Sequence, residues 1–251
     1  MNDFFSIQLK DIIIALTLLS RLSIPHNIIT SFDRQALATW AFPIIGVIVS
    51  SITIIVATLA MTLGLLPGLT AGLVLATQII ITGALHEDGL ADTADGFWGG
   101  HSVKQRLEIM SDSTLGTYGI LVLIITIGLR WLSLTIILQY SIWSIMAIAV
   151  ISRAVLPALM AWLPAAKATG LSATIGAPPS MSAILALLLG SAISAVILGI
   201  TLIPILLTLT LTVICIALIA QNKINGQTGD VLGATQQMSE TICLILLASM
   251  L

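Results

Sequence analysis

Residues 35–86 read QALATWAFPIIGVIVSSITIIVATLAMTLGLLPGLTAGLVLATQIIITGALH and contain no Asp, Glu, Lys or Arg. A helix needs about 20 apolar residues to cross about 30 Å of hydrocarbon. This stretch holds two such segments, parted at Leu66-Pro67-Gly68. The whole 251-residue chain has the same character: 58% hydrophobic, 8% charged, with a mean hydropathy of +1.13. Soluble domains carry about 25% charged residues, so this chain has too few charges to solvate a globular surface. The expected fold is all-α, a polytopic transmembrane helical bundle of about six to seven spans with an active site on its cytoplasmic face.

Working outward, the apolar runs predict spans near 36–65, 69–86, 115–138, 141–163, 181–201 and 203–221, with a short last run at 240–251. The first run is long enough to tilt or break at Pro43, and Pro204 marks the break before the sixth. Residues 3–24 mix Phe4, Phe5, Ile7 and Leu9 with Asp3, Lys10, Asp11 and Arg21, which suits an interfacial or half-inserted helix within 1–34. The N-terminus lacks a basic region followed by a small-residue cleavage site and is read as mature protein. The expected organisation is one integral-membrane domain over 1–251, with a cytoplasmic Asp-rich block at 86–114 and a cytoplasmic Gly/Asp loop at 222–238. Lys10, Arg21, Arg34, Lys104, Arg106, Lys167 and Lys223 fall on one side of this arrangement, and the loops at 66–68, 139–140 and 202 carry no basic residue. Basic residues near span ends are retained in the cytoplasm, so the chemically rich face is expected there.

Several classes are disfavoured. A net charge of −2 and 5% aromatics give no support for a nucleic-acid partner. Cys215 and Cys243 lie in apolar runs, outside any zinc or disulfide framework. Membrane lipid is an expected partner, and a homo-oligomer is left open.

The chemistry concentrates in His86-Glu87-Asp88-Gly89-Leu90-Ala91-Asp92-Thr93-Ala94-Asp95-Gly96. On a helix, Asp88, Asp92 and Asp95 at i, i+4 and i+7 stack three carboxylates on one face, where they repel unless a cation intervenes. Hard oxygen donors favour Mg²⁺ (or Mn²⁺), an ion held by one or two carboxylates plus substrate phosphates. Glu87 is off that face and reads as a solvated neighbour. His86 either orients a carboxylate or caps the span, the former being expected. Lys104 and Arg106 bring cations that suit phosphate oxygens, against a plainer reading as interfacial residues snorkelling to lipid headgroups. Asp112 sits at the mouth of the next span.

A third block, Asn222 to Ala234, offers glycines for close anion approach, Gln227, Thr228 and Gly229 as substrate contacts, and Asp230 as another oxygen donor. Arg153, inside a span, is expected to face the interior or a substrate anion, and Arg130 to be a boundary residue.

Taken together these blocks resemble the cobalamin-5′-phosphate synthase (adenosylcobinamide-GDP ribazoletransferase) family. The resemblance lies in Leu19-Ser20-Arg21-Leu22-Ser23-Ile24-Pro25, Phe42-Pro43-Ile44-Ile45-Gly46, the His86-to-Gly96 block, Arg106-Leu107-Glu108-Ile109-Met110 with Asp112-Ser113, Ser152-Arg153, and Gly226-Gln227-Thr228-Gly229-Asp230 with Glu240. Glu87, Ser111 and Asn225 depart from the family pattern. The resemblance implies that α-ribazole, or its 5′-phosphate, is joined to adenosylcobinamide-GDP with release of GMP. A ribose hydroxyl would attack the pyrophosphate phosphorus nearer the cobinamide arm. The expected roles are Asp88, Asp92, Asp112 and Asp230 toward the metal, and Asp95 with His86 in catalysis. Lys104, Arg106, Arg153, Gln227, Thr228 and Gly229 are expected on substrate. A CDP-alcohol phosphotransferase is the nearest alternative, but its pattern places Ala-Arg after the first Asp-Gly, where this chain has Ala91-Asp92. A divalent-cation transporter would set its acids near the bilayer midplane instead of at span ends.

Overall fold

The computed structural model describes residues 6–23 and 33–251. The amphipathic positions Asp3, Phe4 and Phe5 and the Ile24-Pro25 end of the N-terminal motif lie outside the described residues. Within them the chain is helical: α1 (Leu9–Leu19), α2 (Gln35–Ala38), α3 (Phe42–Thr62), α4 (Pro67–Thr82), α5 (Leu85–Gly99), α6 (Val103–Ile109), α7 (Thr117–Ile137), α8 (Ser144–Ala154), α9 (Leu156–Trp162), α10 (Leu171–Ile175), α11 (Ser180–Leu198), α12 (Leu202–Ile224) and α13 (Gly229–Ser249).

Among the described residues, five stretches are long and apolar enough to cross a membrane: 35–62, 117–137, 144–162, 180–224 and 229–249. Counting the bent pair α4–α5 as one span makes six. The 45-residue stretch is interrupted by a tight turn at Gly199–Thr201. It folds back there, since Ser182 Oγ donates to the Leu37 carbonyl at one of its ends and Lys223 offers its carbonyl to Arg106 at the other. The surface is inverted relative to a soluble protein. Ile124, Val196 and Leu207 are exposed, whereas Arg130, Arg153, Glu87 and Glu240 are buried.

Local sequence explains the boundaries, and several differ from the expected ones. Pro43 occupies the first turn of α3, where its missing N–H costs nothing. It starts the helix and does not break it. Pro204 likewise lies in the first turn of α12, and Gly199 at φ +56° makes the break. The Asp-rich block does not continue α4 in a straight line. Gly83 (φ +64°) and Ala84 (φ +56°) adopt left-handed geometry, and α5 leaves at 86° to α4. The Arg21 side chain lies against Gly83, and its backbone N–H donates to the Ile81 carbonyl at 2.7 Å, fastening the end of α1 to this turn. With 11 residues, α1 is about 16 Å long, half of a hydrocarbon core. Its Asp11 is buried and takes a two-pronged bond from Arg34 (2.9 and 3.1 Å) and one from Trp40 Nε1 at 3.1 Å.

The largest difference is at the C-terminal end. The expected loop over 222–238 shrinks to Asn225–Thr228, and α13 runs unbroken for 21 residues, largely buried. Its middle carries Gln236, Gln237 and Glu240, which lowers its hydropathy. These side chains face protein instead of lipid, so the apolar count sees only the second half.

Candidate functional site

α5 and α13 cross where each has a glycine. A Cβ on Gly89 would lie 2.8 Å from the Asp230 carbonyl oxygen, and one on Gly233 would lie 3.3 Å from the Cα atoms of Gly89 and His86. That contact brings Asp88 and Asp230, on different helices, to the wall of one cavity of about 240 Å³. Thr228 caps α13 by accepting the Val231 N–H at 3.3 Å, and its hydroxyl donates to Asp230 Oδ2 at 3.1 Å, which orients that carboxylate.

The 164–175 segment, pinned by Gln227, supplies another part of the wall. The Gln227 N–H donates to the Pro164 carbonyl, its carbonyl accepts from the Ala166 N–H (both 2.8 Å), and its Oε1 accepts from Ser172 Oγ at 2.6 Å. Gly226 passes so close to the Pro164 carbonyl that no side chain fits there. The pinned segment carries Lys167, whose Nζ donates to Ser111 Oγ at 2.6 Å. Lys167 is the one ammonium on the cavity wall among the described residues.

The expected site residues separate into two groups. His86, Asp88, Gln227, Thr228, Gly229 and Asp230 line the cavity. Asp92, half-buried one turn beyond Asp88, lies within range of the charges of Asp88, Asp230 and Lys167. The others are held elsewhere. Asp95 is buried and accepts the backbone N–H groups of Gly116 (2.7 Å) and Gly119 (2.9 Å), so it caps the start of α7 from outside that helix. Arg106 donates to the carbonyls of Gly100 (3.1 Å) and Lys223 (2.8 Å), tying α6 to the end of α12. Lys104 is exposed, 3.9 Å from Glu108 one turn away. Asp112 is exposed and accepts from the N–H and hydroxyl of Thr114.

Arg153 is buried and does not line the cavity. It donates to the Ala149 carbonyl at 2.8 Å and lies 3.5 Å from Glu240 Oε2. Arg130, expected at a boundary, is 1% exposed and binds Glu87, Glu240, Gln78 and Gln237. Glu87, expected to be solvated, is its partner at 3.2 Å. The sequence reading missed this core because each charge finds its partner on a different helix. It also left Lys167 out of the site, although the cation's position among the span-end loops was a usable signal.

Among the described residues, no group of three His, Cys, Asp or Glu side chains converges as a preformed metal cage. The mouth instead offers Asp88 and Asp230, an all-oxygen pair beside open space. That donor set fits an ion such as Mg²⁺, which keeps several waters and completes its shell with phosphate oxygens. A structural Zn²⁺ would need four closed ligands and is not matched.

The family model described as cobalamin-5-phosphate synthase matches residues 11–248. Three similar proteins carry the name adenosylcobinamide-GDP ribazoletransferase. That of Bradyrhizobium diazoefficiens is 41% identical over 217 residues, covering 85% of this chain and 84% of its own. That of Mesorhizobium japonicum is 40% identical over 245 residues (96% and 93%), and that of Rhizobium johnstonii 35% over 248 (94% and 95%). No solved structure matches the chain. A match along nearly the whole length, from the buried Asp11 at the start of the bundle to the end of α13, gathers the cavity and its supporting helices into a single assignment: the chain belongs to the cobalamin-5-phosphate synthase family.

Proposed function

We propose that this chain joins α-ribazole, or its 5′-phosphate, to adenosylcobinamide-GDP and releases GMP, the final assembly of adenosylcobalamin (5′-phosphate). The observation that carries this reading is a single cavity whose wall combines two carboxylates from different helices, Asp88 and Asp230, with the ammonium of Lys167. A pyrophosphate needs that pairing of charges, because phosphoryl transfer depends on positioning and charge neutralisation more than on covalent help from the protein.

In this reading the ribose hydroxyl attacks the phosphorus nearer the cobinamide arm, the bond from that phosphorus to the bridging oxygen breaks, and GMP leaves. Asp88 and Asp230 hold Mg²⁺ (or Mn²⁺), which when bound supplies charge neutralisation for the pyrophosphate. Lys167 pairs with a phosphate oxygen. Asp92 takes the hydroxyl proton. It is half-buried, on the Asp88 face of α5, and makes no side-chain hydrogen bond among those of the described residues, whereas both oxygens of Asp95 are engaged by α7.

The seven-to-none distribution of basic residues supports a cytoplasmic active face in the prokaryotic cytoplasmic (inner) membrane. Cysteines introduced singly at 104, 167 and 223 should be shielded from impermeant reagents outside intact cells, and labelling from outside would invert the topology. For the reaction, purified protein in detergent is given adenosylcobinamide-GDP and α-ribazole 5′-phosphate and assayed for GMP. Formation of GMP only with both substrates is expected. Its absence would overturn the reading.

A further inference from the structure

Behind its acidic mouth the cavity changes character. Leu18 and Leu19 from α1, Phe42 from the start of α3, Met110, and Leu156 with Met160 from α9 close it, and all six are buried. Two observations restrict what this chamber admits. The first is size: the whole cavity, acidic mouth included, measures about 240 Å³, below the roughly 300–1,000 Å³ usual for drug-sized ligands. That space suits one flat bicyclic ring and excludes a corrin macrocycle. The second is an unpaired polar atom. His86 is 2% exposed on the same wall, and its Nε2 is buried with no hydrogen-bond partner. Leaving such an atom unsatisfied costs about 1–3 kcal/mol, and because almost none of its surface is accessible from the cavity, the imidazole must turn toward the chamber for a ligand nitrogen to remove that cost.

We propose that this chamber seats the aromatic base of α-ribazole, with His86 Nε2 hydrogen-bonded to the free ring nitrogen of the base. The inference rests on the transferase reading above and assigns the lower-base specificity to the Phe42–Met160 lining and to His86. The base is a benzimidazole: flat and apolar, with one ring nitrogen in the glycosidic bond and the other free as an acceptor. Imidazole in the tautomer protonated at Nε2 donates to it, while Phe42 and the two methionines supply polarizable contact to the ring faces and edges. The ribose then extends from the chamber toward Asp88 and Asp230, where its hydroxyl must react. Guanine is the competing occupant, but its several polar edges would find a largely aliphatic wall.

The test uses the full chain in detergent and varies the two substrates separately. Ala173→Leu, on the short peripheral helix α10, and Met160→Phe, in the bundle, both narrow the chamber. Each should raise KM for α-ribazole about tenfold or more while KM for adenosylcobinamide-GDP stays within about twofold. Equilibrium binding of radiolabelled α-ribazole to the same proteins reads the seat without turnover, and Ala173→Leu keeps the test informative where Met160→Phe fails to fold. The wild type should favour a benzimidazole riboside over an indole riboside, which lacks the free acceptor. His86→Leu should bring the ratio of their kcat/KM values close to one, and His86→Gln, which retains an N–H donor, should preserve part of it. An unchanged α-ribazole KM and affinity, an unchanged ratio, or a selective rise in the adenosylcobinamide-GDP KM would overturn the assignment, the last placing guanine in the chamber. Wild-type protein that binds α-ribazole but releases no GMP would contradict the transferase reading and leave the seat supported.

Discussion

Arg130 on α7 reaches Glu240 on α13 at 2.8 Å and Glu87 on α5 at 3.2 Å, so one buried cation ties together the two helices that carry Asp88 and Asp230. Gln78 and Gln237 accept two further N–H groups at 2.9 and 2.6 Å, and the Nε–H is left without a partner among the described residues. Charges this deep are stable only when paired and hydrogen-bonded, and removing one partner strands the others. Arg130→Met should therefore lower stability by about 3–5 kcal/mol and lower activity with it, because both acid-bearing helices lose their common anchor. Arg130→Lys should be intermediate, keeping the charge without the fork. Arg153 touches Glu240 from the other side and contacts neither Asp88 nor Asp230 in the bonds it makes. Arg153→Met should lower the unfolding midpoint while turnover per folded molecule stays within about twofold. Thermal unfolding in detergent beside GMP release separates the two outcomes. A stable but inactive Arg153→Met would return that residue to the substrate.

Asp88→Asn and Asp230→Asn should each reduce GMP release about a hundredfold or more, the scale of losing one preorganised electrostatic partner. Both proteins should remain folded, since Asp88 is exposed and, among the described residues, the Asp230 side chain is held only by Thr228. Excess chelator should abolish wild-type activity, and Mg²⁺ or Mn²⁺ should restore it. Full activity after metal removal would leave the acids a different task.

The crossing of α5 and α13 gives a sharper contrast. A methyl group on Gly89 would meet the Asp230 backbone at 2.8 and 3.0 Å, atoms that cannot swing aside. Gly229, expected from sequence to need close approach, would meet nothing nearer than Leu171 Cβ at 3.8 Å, an ordinary contact. Gly89→Ala should cost about 1–3 kcal/mol by overpacking and lower turnover by shifting Asp88 relative to Asp230. Gly229→Ala should be close to neutral in both. Equal effects of the two substitutions would mean that the helices adjust freely at this crossing.

The difference between those two glycines shows what was legible in the sequence. Spans were readable because hydrophobic length is a one-dimensional quantity, and the Asp88 face was readable because helical spacing is local. Which glycine touches a neighbour depends on how α5 and α13 cross, and the 86° turn at Gly83–Ala84 that sets up the crossing has no apolar signal. The same limit hid the partners of Glu87 and Arg130, lying 43 positions apart in the chain. It hid Asp95 too. Three aligned carboxylates looked equivalent, but only the third lies under the start of α7, where two backbone N–H groups meet it. Polar residues on α13 lowered its hydropathy because they face this shared core, so a buried helix read as a loop.

The N-terminal clasp supplies a pH test built on groups outside the cavity wall. Burial raises the affinity of Asp11 for its proton, but bonds from Arg34, Trp40 and the Gln8 N–H, with the charge of Arg34, outweigh this and hold the carboxyl below its ordinary value of 3.8. A carboxyl depressed by folding contributes stability that is fully present above its unfolded pKa and lost as pH falls through the folded one. Wild type should thus exceed Asp11→Asn in unfolding midpoint by a constant margin from about pH 5 upward, and the margin should shrink as pH drops below about 4. The hydrogen bonds are charge-assisted and partly buried, so the margin should correspond to about 1–3 kcal/mol. Leu18 and Leu19 follow Asp11 on the same short helix and line the cavity. Loosening the clasp should therefore also raise KM for α-ribazole at neutral pH without changing KM for adenosylcobinamide-GDP. A margin that persists undiminished at pH 3 would mean that Asp11 stabilises α1 through its shape and not through its charge.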